Sequence, residues 1–185
     1  KSDGTEAGTM MVKDIYSGWS SSYPSILTAV GNTLYFSADD GGNGWELWKS
    51  DGTEAGTMMV KDIYSGWSSS YPSILTAVGN TLYFSADDGG NGWELWKSDG
   101  TEAGTMMVKD IYSGSSGSSL SYLTVVGNTL FFQANDGFNG AELWKSDGTE
   151  AGTMMVKDIN SGWSSSSPSI LTAVGNTLYF SADDG

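Results

Sequence analysis

The 185-residue chain contains no cysteine, no histidine and no arginine, and only three prolines. Without cysteine there is no disulfide and no thiolate nucleophile, and a core of this size needs no such staples. Without histidine there is no Ser-His-Asp triad, no imidazole base and no histidine metal site. Without arginine there is no guanidinium clamp for a carboxylate or phosphate. No apolar run approaches the length of a membrane span, and no signal peptide is visible. Positive charge is scarce as well: eight lysines stand against 22 Asp and Glu, for a net charge of −14. Such a surface repels nucleic acid and anionic lipid, so neither nucleic-acid binding nor membrane insertion is expected. No GxSxG, P-loop or dinucleotide fingerprint occurs. Asp39 and Asp40 are adjacent, which points them to opposite faces of an extended strand instead of across one glycosidic bond.

What the chain has in abundance is itself. Residues 1–48 and 49–96 are identical, a third copy occupies 97–144, and a fourth runs from 145 to 185. The fourth lacks the seven positions equivalent to 42–48. A fixed period of this size signals a repeat architecture. It also disfavours catalysis, because near-identical units supply the same group at many points, whereas an active site converges different groups on one. No enzyme activity is expected.

Within the unit every segment reads as strand or turn. Residues 26–30 form a β-branched run, Gly31-Asn32 a tight hairpin turn, and 33–38 (TLYFSA) the next strand. The glycine-rich DDGGNG follows, then a third strand over 45–49 (WELWK). The connector DGTEAG leads to a fourth strand, TMMVKDI, at 9–15 and its equivalents. Residues 16–25 (YSGWSSSYPS) link one unit to the next. Alternation places Leu34, Phe36 and Ala38 on one side and bulky Tyr35 on the other. Trp45 and Leu47 likewise oppose Trp48. Strands apolar on both faces belong to sheets covered on both sides. The expected fold is therefore all-β: a β-propeller, or a propeller-like repeat array, of four-stranded antiparallel blades. An open stack of the same sheets satisfies the packing equally well.

The blades are expected at 26–63, 74–111 and 122–159, with a partial blade at 170–185 completed by 9–15. That partial blade lacks its third strand, so the monomer is not expected to close into an intact four-bladed ring. The chain reads as a segment of a longer array, or as one of several chains that complement one another.

The motif ELWKSDGT, at 46–53, 94–101 and 142–149, resembles the bacterial tandem repeats named for ELWxxDGT, and the flanking GTMMVKDI and NTLYFSADDG look like the same unit. The resemblance covers nearly the whole chain. It implies large secreted or surface-associated bacterial proteins, often labelled hyalin-like, with propeller-type folds and an extracellular or cell-surface location. It implies no catalytic residues. The third copy departs from the pattern, with Ala141 in place of Trp45, Asn135 in place of Asp39 and Leu120 in place of Pro24.

Three sets of residues are candidates for chemistry. Asp3, Asp51, Asp99 and Asp147 open SDGT turns that also look like the Asp-box of sialidase-type propellers. A carboxylate there can accept the N–H groups that follow it, so these aspartates read as structural turn braces. Asp39, Asp40 and Asn43, with Asp87, Asp88 and Asn91, offer the oxygen ligands calcium prefers, with Glu46 just beyond, although no EF-hand spacing is present. An acidic Gly/Asn turn is also what a solvated hairpin looks like. No other cofactor is indicated.

Trp19, Tyr23, Trp67, Tyr71 and Trp163 set flat apolar rings among serines and glycines, a mixture suited to stacking on sugars. Packing is the favoured expectation for them: aromatics are mostly buried, so these rings are expected to plug the seams between blades. Three readings follow: a structural or adhesive array, whose partners are further copies of itself or adjoining repeats; a multivalent lectin-like module that binds glycans; and, least favoured, an enzyme.

Overall fold

A computed structural model describes all residues, Lys1–Gly185. It contains fourteen strands and no helix. The first unit comprises β1 (Ser25–Val30), β2 (Thr33–Asp39), β3 (Trp45–Ser50) and β4 (Met58–Lys61). The second comprises β5 (Ser73–Val78), β6 (Thr81–Asp87), β7 (Trp93–Ser98) and β8 (Met106–Lys109). The third comprises β9 (Ser121–Val126), β10 (Thr129–Asn135), β11 (Ala141–Ser146) and β12 (Met154–Lys157). Two further strands, β13 (Ser169–Val174) and β14 (Thr177–Ser181), form a hairpin of the same kind.

Each group of four is an antiparallel sheet in sequence order, and β13–β14 is a two-stranded sheet. The register is the same in each copy: Phe36 pairs with Trp48, Phe84 with Trp96, and Phe132 with Trp144. The first strands of successive sheets are neighbours, β1 beside β5, β5 beside β9 and β9 beside β13. Thr28 and Thr124 extend that contact by donating their hydroxyls to the carbonyls of Leu75 and Leu171.

Apolar residues on both faces of β2 and β3 bury both faces. One core holds Val30, Tyr35, Leu47, Val60 and Ile63 of the first unit against Leu75, Leu82, Phe84, Ala86 and Trp96 of the second. The next repeats it one unit on, with Tyr83, Leu95, Val108 and Ile111 against Leu130, Phe132, Ala134 and Trp144. On the other face of the first sheet, Phe36, Ala38 and Trp48 meet Ile15. Each four-stranded sheet thus packs on the next through the same pair of surfaces.

The expected fourth strand at 9–15 is not a strand. Lys1 and Met10 exchange two backbone hydrogen bonds, Met10 N–H to the Lys1 carbonyl at 2.9 Å and the Lys1 amine to the Met10 carbonyl at 2.8 Å. This is the pair equivalent to Lys49 and Met58 in the β3–β4 ladder. In that ladder the pairing continues through Trp48 and Leu47; beside residues 11–15 no such strand lies alongside, so the ladder stops after one pair. Residues 9–15 therefore do not complete the sheet of β13 and β14.

Each first strand carries a bulge. The β1–β2 register shifts between Ser25 and Thr28, and Ile26 sits there at φ 54°. Ile74, Tyr122 and Ile170 repeat this conformation. A bulky residue in the left-handed region is uncommon, and the recurrence of the conformation in every unit, at isoleucine in three and tyrosine in one, ties it to the bend of the strand beside its neighbour sheet.

Candidate functional site

The antiparallel order sorts the connections onto two edges. The β2–β3 loops and the linkers between units lie at one edge, because both follow or precede strand ends on that side. The hairpin turns and the SDGT connectors lie at the other.

At the connector edge the aspartates hold their own turns. Asp51 Oδ1 accepts the Thr53 N–H at 2.9 Å and the Thr53 hydroxyl at 2.7 Å. The Thr53 hydroxyl oxygen accepts the Gly56 N–H, and the Thr57 hydroxyl donates to the Thr53 carbonyl. Asp3, Asp99 and Asp147 make the same two bonds to Thr5, Thr101 and Thr149. The threonine hydroxyl, followed by the threonine N–H, holds all four carboxyls below the usual aspartate range.

The same turns also join sheets. The Lys49 ammonium donates to the Gly100 carbonyl at 2.7 Å and Lys97 to Gly148 at 2.8 Å, while Lys1 reaches Gly52 at 2.7 Å. Gly100, at φ 89°, lies under the Tyr35 hydroxyl so closely that a Cβ would overlap it, and Gly148 lies likewise under Tyr83. The DGT glycine is thus required both by its backbone and by the tyrosine of the preceding sheet. Burial, with the charge of Asp99 beyond it, pushes the Tyr35 hydroxyl upward.

At the linker edge the central group is Glu46. It is fully buried, and Glu94 and Glu142 are buried at the equivalent positions. Glu46 accepts the N–H groups of Ile63 at 3.0 Å, Tyr64 at 3.4 Å and Ser70 at 2.9 Å, and the Ser70 hydroxyl at 2.6 Å. Glu94 accepts from Ile111 and Tyr112, and Glu142 from Ile159, Ser166 N–H and the Ser166 hydroxyl. A strand-borne carboxylate thus satisfies a linker that has no ladder of its own. Burial drives the Glu46 carboxyl up to about 7 against the opposing pull of its donors, led by the Ser70 hydroxyl. Burial does the same to Glu94, also to about 7, opposed first by the Ile111 N–H. Alternation places Glu46 on the side opposite Trp45 and Leu47, the side it shares with buried Trp48, and that shared side is the sequence signal that it faces inward.

The acidic loops turn their carboxylates onto themselves. Asp39 Oδ1 accepts the Gly41 N–H at 2.7 Å. Asp40 Oδ1 accepts Gly42 and Asn43 N–H, both at 2.9 Å, and its Oδ2 accepts the Asn43 amide at 2.8 Å. Asp87, Asp88 and Asn91 repeat this arrangement. Partial burial pushes Asp40 up, but the donors of Gly42 and Asn43 outweigh it and its carboxyl lies below the ordinary value. The geometry brings no third carboxylate to either loop.

The linker aromatics face outward. Trp19, Trp67 and Trp163 are among the most exposed large side chains, and Tyr23 and Tyr71 are exposed too. The seam-plug expectation therefore does not describe them. Small residues take the seam: Ser70 is buried, its hydroxyl bonded to Glu46, and the Ser69 hydroxyl accepts the Trp45 N–H at 3.0 Å. Gly44 approaches the Ser68 backbone too closely for any side chain between them. The structure brings Tyr23, Trp45 and Tyr71 together. Trp45 stacks on Tyr71 with centroids 5.8 Å apart and lies 6.5 Å from Tyr23. Trp163 instead meets Phe138 at 6.5 Å, and Trp19 and Trp67 stand apart from both clusters.

No protein-family model matches the chain. No curated protein matches it either. Among solved structures it is similar to the crystal structure of the computationally designed Ika8 protein, at 17% identity and a TM-score of 0.48. That similarity covers 88% of this chain and 43% of the designed one, so the chain spans less than half of its length.

Proposed function

We propose that this chain is a non-catalytic structural or adhesive repeat protein of an extracellular or bacterial cell-surface assembly, built of propeller-type blades. The observation that carries the reading is how the motif's reactive-looking groups are used. Glu46 holds the linker, Asp51 its own turn, and Lys49 the turn of the next sheet. The buried acid and the base of ELWKSDGT are engaged in holding units together, and the turn acid in holding its own turn. The bacterial ELWxxDGT repeats that the motif resembles supply the surface location in this reading. Its test is assembly and adhesion without chemistry: the purified chain is expected to form ordered assemblies or bind a surface while showing no hydrolase activity on glycan, ester or peptide panels. Turnover on any of these would overturn it.

A second reading, a multivalent glycan-binding module, is favoured by one observation, the exposed aromatics of the linker edge. Repeated weak sites would gain avidity from their number. On a glycan array this reading expects binding by the native chain that is lost in the Trp19→Ala, Trp67→Ala, Trp163→Ala triple variant. An array with no binding removes it.

A further inference from the structure

The core between successive sheets has a fixed recipe. Val30 and Tyr35 of one unit sit on Leu75, Leu82 and Phe84 of the next, with Val60 and Ile63 beside them. Lys49 and Lys61 of the same unit donate to the Gly100 and Thr105 carbonyls across that interface.

The molecule carries both halves of this recipe separately. On the outer face of the first sheet, Lys1 and Lys13 already donate to the Gly52 and Thr57 carbonyls, as Lys49 and Lys61 do one unit on. Val12 and Ile15 stand where Val60 and Ile63 stand. Where the equivalents of Val30 and Tyr35 would sit there is a cavity of about 240 Å³, with Val12, Ile15, Leu27, Leu34 and Phe36 in its lining. Leu27 is 60% exposed there, whereas its equivalent Leu75 is 8% exposed.

The missing half is displayed on β13–β14. Val174 and Tyr179 are the equivalents of Val30 and Tyr35, and they are 60% and 59% exposed against 8% and 4%. Two lysines complete the match. Six of the eight donate across an interface, and Lys145 and Lys157, on the sheet beside β13–β14, do not.

We infer that the β13–β14 face docks head to tail onto the outer face of the first sheet of a second copy of this chain. Val174 and Tyr179 enter the cavity over Leu27, Leu34 and Phe36. Residues 1–15 of the second copy lie outside the hairpin as the outer half of its sheet. Lys145 and Lys157 then reach the carbonyls of Gly4 and Thr9 of that copy, in the register that Lys49 and Lys61 follow to Gly100 and Thr105. The contact is a fourth instance of an interface already present within the chain, which is why the occupant is this sequence and not another. Because the two surfaces differ, the contact is heterologous, and copies either close into a ring or extend. The inference rests on the repeat-array reading for its partner.

The test uses the whole chain in sedimentation velocity and native mass spectrometry. Val174→Asp with Tyr179→Asp blocks the hairpin face, and Leu27→Asp blocks the receiving face. All three side chains are already exposed, so folding is kept and is checked by circular dichroism. The native chain is expected to run as species heavier than 19.5 kDa at tens of micromolar. Each variant alone is expected to be monomeric. An equimolar mixture of the two is expected to form a one-to-one dimer through the single pair of intact faces. A native chain that stays at 19.5 kDa, variants that still assemble, or a mixture that stays monomeric would each overturn the docking. Failure here leaves the non-catalytic reading standing, because that reading falls on turnover, which these measurements do not record.

Discussion

Glu46 and Ser70 are joined twice, by the Ser70 N–H at 2.9 Å and by its hydroxyl at 2.6 Å, although they lie on either side of a unit boundary. The bond anchors the linker to the third strand of the sheet it has just left, and the chain then enters the next sheet at Ser73. Ser70→Ala removes the hydroxyl from a buried carboxylate while keeping the backbone bond. A hydrogen bond to a charged group contributes roughly 1.5–3 kcal/mol. Denaturant unfolding is expected to show a loss in that range for Ser70→Ala, and under about 0.5 kcal/mol for the exposed Ser65→Ala.

Stability should fall as pH rises from about 4.5 to about 7. The Glu46 and Glu94 carboxyls have folded values of about 7, above the ordinary 4.5. The folded state therefore holds more protons than the unfolded one between these limits, and the contribution is full below 4.5 and lost by 7. The turn aspartates act in the opposite sense: their folded values are depressed, so their contribution is lost as pH falls below the usual aspartate range. The melting temperature is expected to peak near pH 4–5, where both sets contribute. Glu46→Gln with Glu94→Gln is expected to flatten the slope between pH 4.5 and 7; an unchanged slope would show that other groups set it.

Gly100→Ala tests the contact between the turn and the preceding sheet. The substitution places a Cβ at φ 89° and against the Tyr35 hydroxyl. Loss of about 1–3 kcal/mol is expected from backbone strain and overlap together. Tyr35→Phe removes the overlapping atom, so the double variant should recover part of the loss. Additive effects would mean that strain alone is responsible.

Much of this was legible in the sequence. Period, strand order, the Gly31-Asn32 hairpin and two-sided burial of β2 and β3 follow from local signals that each unit repeats. Residues 9–15 did not, because a strand exists only beside a partner, and the TMMVKDI sequence is the same where β4 forms and where it does not. Proximity in sequence groups Glu46 with the acidic loop, whereas burial and the distant Ser70 decide its role. The linker tryptophans misled for a related reason. Composition favours burying large rings, but the linker lies flat on the β3 backbone, and only Ser and Gly fit beneath it.

Two tryptophan variants should separate these classes. Trp67 is exposed and Trp96 is buried against Phe84 and Leu47. Trp67→Ala is expected to change stability by less than about 0.5 kcal/mol, and Trp96→Ala to cost about 3–5 kcal/mol. Unfolding followed by far-ultraviolet circular dichroism checks both without depending on the removed fluorophore.

Millimolar calcium is expected to leave the melting temperature unchanged, because the Asp40 and Asp88 oxygens already accept their own loops' N–H groups. A calcium-dependent rise that Asp40→Asn and Asp88→Asn abolish would show that the loops open to hold the ion.

Buried glutamates hold the linkers between like sheets. Amide hydrogen exchange reads this directly. The Ile63 and Ser70 N–H groups lie outside every strand yet point at Glu46, so they should exchange as slowly as strand amides such as that of Phe84. Glu46→Gln should speed both, while the Trp67 amide exchanges fast throughout. Rapid exchange at Ile63 and Ser70 in the native chain, equal to that at Trp67, would contradict the account.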